Sequence, residues 1–273
     1  MKHKYISVQS NELLAFFNEH KQNYFRFADA YKALPDIKAR TLSELIRDMI
    51  RRGLLMQLKP EVYYIIPYEQ DAATFMPDWH LIPQAVLSDT EHYVGYYSAL
   101  QIHNLITQPS LKEQIVVARQ IKPPTLVIKE ITFQFIYHNP AHFFGFKKIW
   151  IDDFHKVFCS DLEKTIIDCL FKPDYAGGIV EVARAIYASR ADLNFPRLLE
   201  YTQKFGSQAV FKRLGFLLEL LDISGAISTE LARARTASVV PLDPELEKKG
   251  KINSRWSILI NLDTETIKSA IYT

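Results

Sequence analysis

The sequence predicts an α+β protein in two parts: three helices closed by a β-hairpin, then a larger mixed α+β domain. Three observations predict it. Apolar residues recur at helical spacing up to Gly53, where a helix stop belongs. Two short strand-like runs follow at once. Beyond residue 80, a group of strand-like runs precedes a group of helices, the order of an α+β domain rather than a doubly wound sheet.

The elements follow in order. Ser10 is read as the cap of a first helix through Glu12-Leu13-Leu14-Ala15-Phe16-Phe17. Phe25 to Tyr31 reads as a second helix, stopped near Leu34-Pro35. A third runs from about Lys38 to Arg52. Leu54 to Leu58 and Val62 to Ile66 are strand-like, with Lys59-Pro60-Glu61 as the hairpin tip. This order is that of a winged helix-turn-helix, with the third helix for recognition and the hairpin as the wing.

On the third helix, Leu42, Leu45, Ile46, Met49 and Ile50 share one face. Arg40, Glu44, Arg47 and Arg51 form a narrow stripe on the opposite face, flanked by Thr41 and Asp48. The apolar face must pack inward, so the stripe points outward. Arginines there can fork onto guanine edges or phosphate. The bland reading is a solvated face in which Glu44 pairs with Arg40 or Arg47. The surrounding helix order and hairpin favour DNA. The expected contact set is Lys38, Arg40, Thr41, Ser43, Glu44, Arg47, Arg51, Arg52 and Lys59.

Charge agrees with that placement. The 273 residues carry a formal net charge of only +2, which excludes a histone-like polycation. Residues 1–70 hold 11 Lys plus Arg against 8 Asp plus Glu, and the remainder 22 against 23. So modest an excess predicts salt-sensitive binding that needs a dimer or a second basic surface. Lys248, Lys249, Lys251 and Arg255 are candidates for that surface, diluted by Asp243, Glu245 and Glu247.

Pro67, Pro77 and Pro83, with Glu69-Gln70-Asp71, break the pattern. The boundary is placed near residues 68–80, giving a DNA-binding domain over 1–70 and a second domain over 80–273. In the second domain, Tyr96 to Leu105 reads as a helix. Strands are expected at Gln114 to Arg119, Thr125 to Lys129, Ile131 to His138, Phe143 to Ile151 and Lys156 to Cys159. Ser160 is read as the cap of the next helix, with Glu163 completing a capping box. Helices follow over Gly178 to Ser189, Pro196 to Phe205 and Ser207 to Leu221, then a strand over Trp256 to Leu262.

Other classes find little support. Cys159 and Cys169 fit neither a metal knuckle nor a redox pair and read as buried free thiols. No segment reads as a membrane span; the most apolar helical stretch, Leu214 to Leu221, is short and holds Glu219. The start, Met1 to Ser7, lacks the apolar region of a signal peptide, so a cytoplasmic protein is expected. There is no phosphate-binding glycine loop and no nucleophile elbow. His138 and His142 are four apart with Pro140 between them, against a shared helical face. Asp152-Asp153 fits a polar strand end better than a Mg²⁺ site. The reading is therefore a non-enzyme with no catalytic residue, cofactor or metal.

The segment Ser160 to Pro173, with Gly177-Gly178, resembles the middle of AbiEi-type antitoxins and related transcriptional regulators. So does Tyr96 to Leu105. Pro241-Leu242-Asp243-Pro244 and Asn253-Ser254-Arg255-Trp256 are similar to the ending of such proteins. The order of these motifs covers most of the chain. The resemblance implies a two-domain DNA-binding antitoxin that binds inverted repeats in its own promoter and counteracts a nucleotidyltransferase-type toxin without needing to touch it. The alternative is a stand-alone regulator, or a protein-binding module with no toxin partner. One departure is the wing tip, Lys59-Pro60-Glu61, which lacks the expected glycine and basic residues. Phosphate repels Glu61, leaving Lys59 as the clear wing contact.

Overall fold

The computed structural model describes residues 4–106, 108, 110–223 and 225–272. Met1, Lys2 and His3, on which part of the leader reading rests, lie outside the described residues. The chain divides into two compact units, up to Asp89 and from Thr90 onward. Both α-helix and β-sheet are present throughout, as the α+β class requires. Among the described residues, no helix is long and apolar enough to cross a membrane.

The first unit runs α1 (Val8–Glu19), β1 (Tyr24–Arg26), α2 (Phe27–Ala33), α3 (Ala39–Arg51), β2 (Leu55–Lys59) and β3 (Val62–Ile65). The strands form an antiparallel sheet in the order β1-β3-β2. Leu13 and Phe17 of α1, Ala30 of α2 and Leu42, Leu45, Ile46 and Met49 of α3 fill one core with Phe25, Leu54, Leu55 and Tyr63. Phe17 stacks on Phe25 at 4.5 Å between ring centroids.

Local chemistry sets the ends of these elements. Ser7, not Ser10, caps α1, accepting from the Ser10 amide at 3.3 Å. Ser10 lies inside the helix, where its hydroxyl accepts from Arg52 at 2.9 Å. The expected second helix starts later, because Phe25 is drawn into β1 opposite Tyr63. Gly53 ends α3 in a Schellman motif: its φ is +75°, and Leu54 N–H reaches Met49 C=O at 2.9 Å.

The boundary falls later than the prolines suggested. A short 3₁₀ turn (Trp79–Leu81) leads into α4 (Ile82–Val86), which packs against β2. Ile82, Ala85, Val86 and Leu87 are buried. Residues 70–89 therefore close the first unit instead of linking it to the second. Proline punctuates the segment, but its apolar residues still fold back.

The second unit begins with β4 (His92–Val94), which the sequence reading missed, and α5 (Tyr96–Ile102). It continues with β5 (Lys112–Val117), β6 (Thr125–Ile128), β7 (Ile131–Tyr137), β8 (Phe146–Trp150) and β9 (Lys156–Ser160). These form a six-stranded mixed sheet, ordered β6-β7-β5-β4-β9-β8. β5–β7 and β4–β9 are parallel, and the other pairs are antiparallel.

The helical half comprises α6 (Leu162–Phe171), α7 (Ile179–Ser189), α8 (Phe195–Phe205), α9 (Gln208–Leu220) and α10 (Ala226–Ala234). The chain ends with β10 (Val240–Pro241), β11 (Lys251–Asn253), β12 (Ile258–Ile260) and α11 (Thr264–Ala270). The short strands make a sheet ordered β10-β12-β11. The α10 and α11 helices, and strands β10 and β11, were not anticipated. The cap of α6 is also corrected. Asp161 accepts from Lys164 N–H at 2.9 Å, while Ser160 is held in β9 opposite Phe146. Ser160 cannot pair in a strand and open the helix together.

Trp256 is fully buried against Gly215 of α9. A Cβ on Gly215 would stand 2.0 Å from the indole. Gly215→Ala is therefore expected to lower stability by about 1–3 kcal/mol, as overpacking does, although alanine favours helix. Urea unfolding would test this, and an unchanged or raised midpoint would contradict the fit.

Candidate nucleic-acid interface

The α3 helix places its charged residues by geometry. Steps of four, three and four residues separate Arg40, Glu44, Arg47 and Arg51, so they line one face. That face lies opposite buried Leu42, Ile46 and Met49. Arg40, Thr41, Glu44, Arg47 and Arg51 are all exposed, and Lys38 is exposed at the N-cap. The stripe is laced by local bonds. Arg40 Nε donates to Glu44 Oε1 at 3.2 Å, and Arg47 Nε to Ser43 C=O at 3.3 Å. Arg51 pairs with Asp48. At such exposure these pairs contribute little to stability.

Three expected contacts are placed differently. Ser43 is half-buried, and its hydroxyl donates to Ala39 C=O at 3.0 Å. The Arg52 side chain is only 15% exposed. Its guanidinium donates to Tyr5 C=O at 2.6 Å and pairs with Asp48 at 2.7 Å. Arg52 thus ties the end of α3 to the start of α1 and leaves the stripe.

Lys59 also leaves the set, since its ammonium donates to Val86 C=O at 2.6 Å. The hairpin tip is short and pinned. Glu61 adopts φ +64°, and its carbonyl accepts from Phe27 N–H at 2.9 Å. The expected wing contact is withdrawn because the tip folds onto its own unit.

In the second unit, Lys248, Lys249, Lys251 and Arg255 are all exposed. Arg255 leans on Glu219 at 3.4 Å. The neighbouring motif residues are structural. Asp243 Oδ2 accepts from Ile179 N–H at 3.3 Å, and its backbone is bracketed by Asn261.

The sequence reading missed a buried polar cluster. Lys164 and Asp168, one turn apart on α6, are both fully buried and pair with each other. Lys164 also donates to the Tyr93 hydroxyl at 2.9 Å, and that hydroxyl donates to Asp168 Oδ2 at 3.2 Å. The Tyr96 hydroxyl lies 2.7 Å from His138 Nε2. The Lys164 ammonium sits 5.3 Å from the ring centres of both Phe144 and Phe205. Burial pulls the Lys164 pKa down, and Asp168 opposes it. The signal was present: Lys164 and Asp168 stand at i and i+4 with Ile166 and Ile167 between them. Glu163, also buried, accepts from Asn194 N–H at 2.8 Å and anchors α8.

Residues 138–142 are not helical, as Pro140 suggested, yet the loop brings the two histidines together. His138 and His142 lie 6.1 Å apart, with His142 stacked on Phe205 at 3.7 Å. Among the described residues, no three His, Cys, Asp or Glu side chains converge as metal ligands do. Asp152 accepts from Phe154 N–H at 2.7 Å and from the His155 ring at 2.8 Å, so it shapes a loop. Both cysteines are buried and free, their thiol pKa values pushed up by burial.

No protein-family model matches the chain, and no curated protein matches it. Among solved structures, it is similar to the crystal structure of the RV2827C protein from Mycobacterium tuberculosis. The match has a TM-score of 0.73 at 13% identity, covering 100% of this chain and 97% of that one. At that identity the likeness speaks for the fold.

Two outcomes follow from the buried cluster. Asp168→Ala strands the Lys164 ammonium and is expected to cost about 3–5 kcal/mol in urea unfolding. Asp168→Ala with Lys164→Met should recover much of that loss. Burial also lowers the His138 pKa from 6.5 to about 4. The unfolded chain then binds the extra proton first. Stability is full above pH 6.5 and falls as pH drops toward 4, by about 3 kcal/mol for this group. His138→Gln should flatten that acid limb; an unchanged limb would assign it to other histidines.

Proposed function

We propose that the first unit is a winged helix-turn-helix that reads double-stranded DNA with α3. The exposed stripe of Arg40, Thr41, Glu44, Arg47 and Arg51 carries this reading. The order helix, strand, helix, helix, hairpin supports it, with the sheet β1-β3-β2 closing the unit. With the hairpin tip pinned, recognition rests on α3 and the exposed Lys38.

The whole chain is proposed to be a cytoplasmic antitoxin that represses its own operon, in a type IV system whose toxin is a nucleotidyltransferase. This part rests on the resemblance of Ser160 to Pro173 and of the C-terminal motifs to AbiEi-type proteins. A stand-alone regulator would share the first unit and lack the toxin.

Electrophoretic mobility and anisotropy with the chain's own promoter test the proposal. Because residues 1–70 have a net excess of only three positive charges, high affinity is expected only with two copies on an inverted repeat. Arg47→Ala or Arg51→Ala should weaken binding. Loss of a phosphate contact should flatten the slope of log K against log salt by about 1. Absence of promoter binding at low salt would overturn the DNA reading. If promoter binding holds but the chain fails to rescue growth from a co-expressed neighbouring nucleotidyltransferase, only the antitoxin part falls.

A further inference from the structure

We propose that the outer end of the β8–β9 hairpin is a binding platform for single-stranded nucleic acid, separate from the α3 stripe. Residues directly opposite in this antiparallel pair share a face. Lys148 stands opposite Phe158, and Trp150 opposite Lys156, two residues further along. This face therefore carries two aromatic rings and two ammonium groups in a crossed array. The Lys148 ammonium lies 5.3 Å from the Phe158 ring centre, and that of Lys156 lies 4.1 Å from the Trp150 ring. The rungs are about 6.8 Å apart along the strand.

The rings are not core residues that happen to reach the surface. Trp150 is 58% exposed and Phe158 40% exposed, and Phe154 in the connecting loop is 84% exposed. A rigid base supports them. Phe146, on the same face, packs edge-on against Phe158 at 6.0 Å and stacks on buried Tyr93 at 4.8 Å. The hairpin's two carboxylates, Asp152 and Asp153, are confined to the loop, where Asp152 is taken up by Phe154 N–H and His155.

Exposed rings flanked by lysines match the chemistry of an unpaired strand. Bases stack on the rings and phosphates meet the ammonium groups. A duplex hides its base faces and cannot use them. Lysines on edge strands also block sheet-to-sheet pairing, and β8 is such an edge. That role explains Lys148 on β8 and leaves Lys156 on β9 and the exposed rings unexplained.

The test uses the full-length chain with fluorescein-labelled 20-residue oligothymidylate and oligouridylate at about 50 mM salt. Expected results are saturable anisotropy, quenching of tryptophan fluorescence, and little competition from a 20-base-pair duplex. Trp150→Ala and Phe158→Ala should each weaken binding about 5- to 150-fold, the effect of one lost stacking contact. Trp150→Phe should restore most of it. Lys148→Ala should reduce the salt slope by about 0.7. Circular-dichroism melting should be unchanged in the Trp150 and Lys148 variants and should stay cooperative, at a slightly lower midpoint, in Phe158→Ala, whose ring packs on Phe146. Arg47→Ala and Arg51→Ala should leave strand binding intact, which separates this platform from the α3 reading. Failure to bind either strand, affinity unmoved by Trp150→Ala and Phe158→Ala, or loss with the α3 variants would each overturn the proposal.

Discussion

The second unit depends on an ion pair placed where charge is expensive. Lys164 and Asp168 lie in the centre of α6, which packs against α5, α7, α8, α9 and β9. Taking two charges out of water costs several kcal/mol each, and their attraction offsets this only when every remaining bond is made. Tyr93 supplies one such bond to each partner from β4. The faces of Phe144 and Phe205 supply the rest of the lysine's surroundings. Through Tyr93 the pair ties α6 to β4.

Other buried polar contacts hold the elements around that helix. Glu163 and Asp161 reach α8, through the Asn194 amide at 2.8 Å and the Tyr201 hydroxyl at 3.1 Å. Arg213 of α9 donates to Leu170 C=O at 2.8 Å, satisfying an open carbonyl at the end of α6. The residues behind the resemblance, from Ser160 to Pro173, are thus mostly those that build the interior. Buried residues speak for packing, and function must be argued from exposed groups.

The first unit turns on a different constraint. Burying Leu42, Leu45, Ile46 and Met49 of α3 forces Arg40, Glu44, Arg47 and Arg51 outward, whatever their role. Two neighbouring cations are then diverted, Arg52 to the start of α1 and Lys59 to the end of α4. Each donates to a backbone carbonyl within its own unit. The exposed positive surface is narrower than residue types alone suggest, but its axis is better defined.

Periodicity by itself determined the main helices and most strands of the large sheet. Spacings of three and four, or of two, record which face meets the core. It also determined the outward stripe on α3. Tertiary structure decided what depends on partners distant in sequence. β1 and β4, three residues each, become strands only by pairing with Val62 to Tyr64 and with Ile115 to Val117. Residues 80–89 read as the start of the second domain until Ile82 and Val86 bury within the first unit. Lys164, Asp168 and Tyr93 look like separate polar residues until β4 and α6 meet. Long-range burial and pairing leave no local periodic trace, so only the folded chain reveals them.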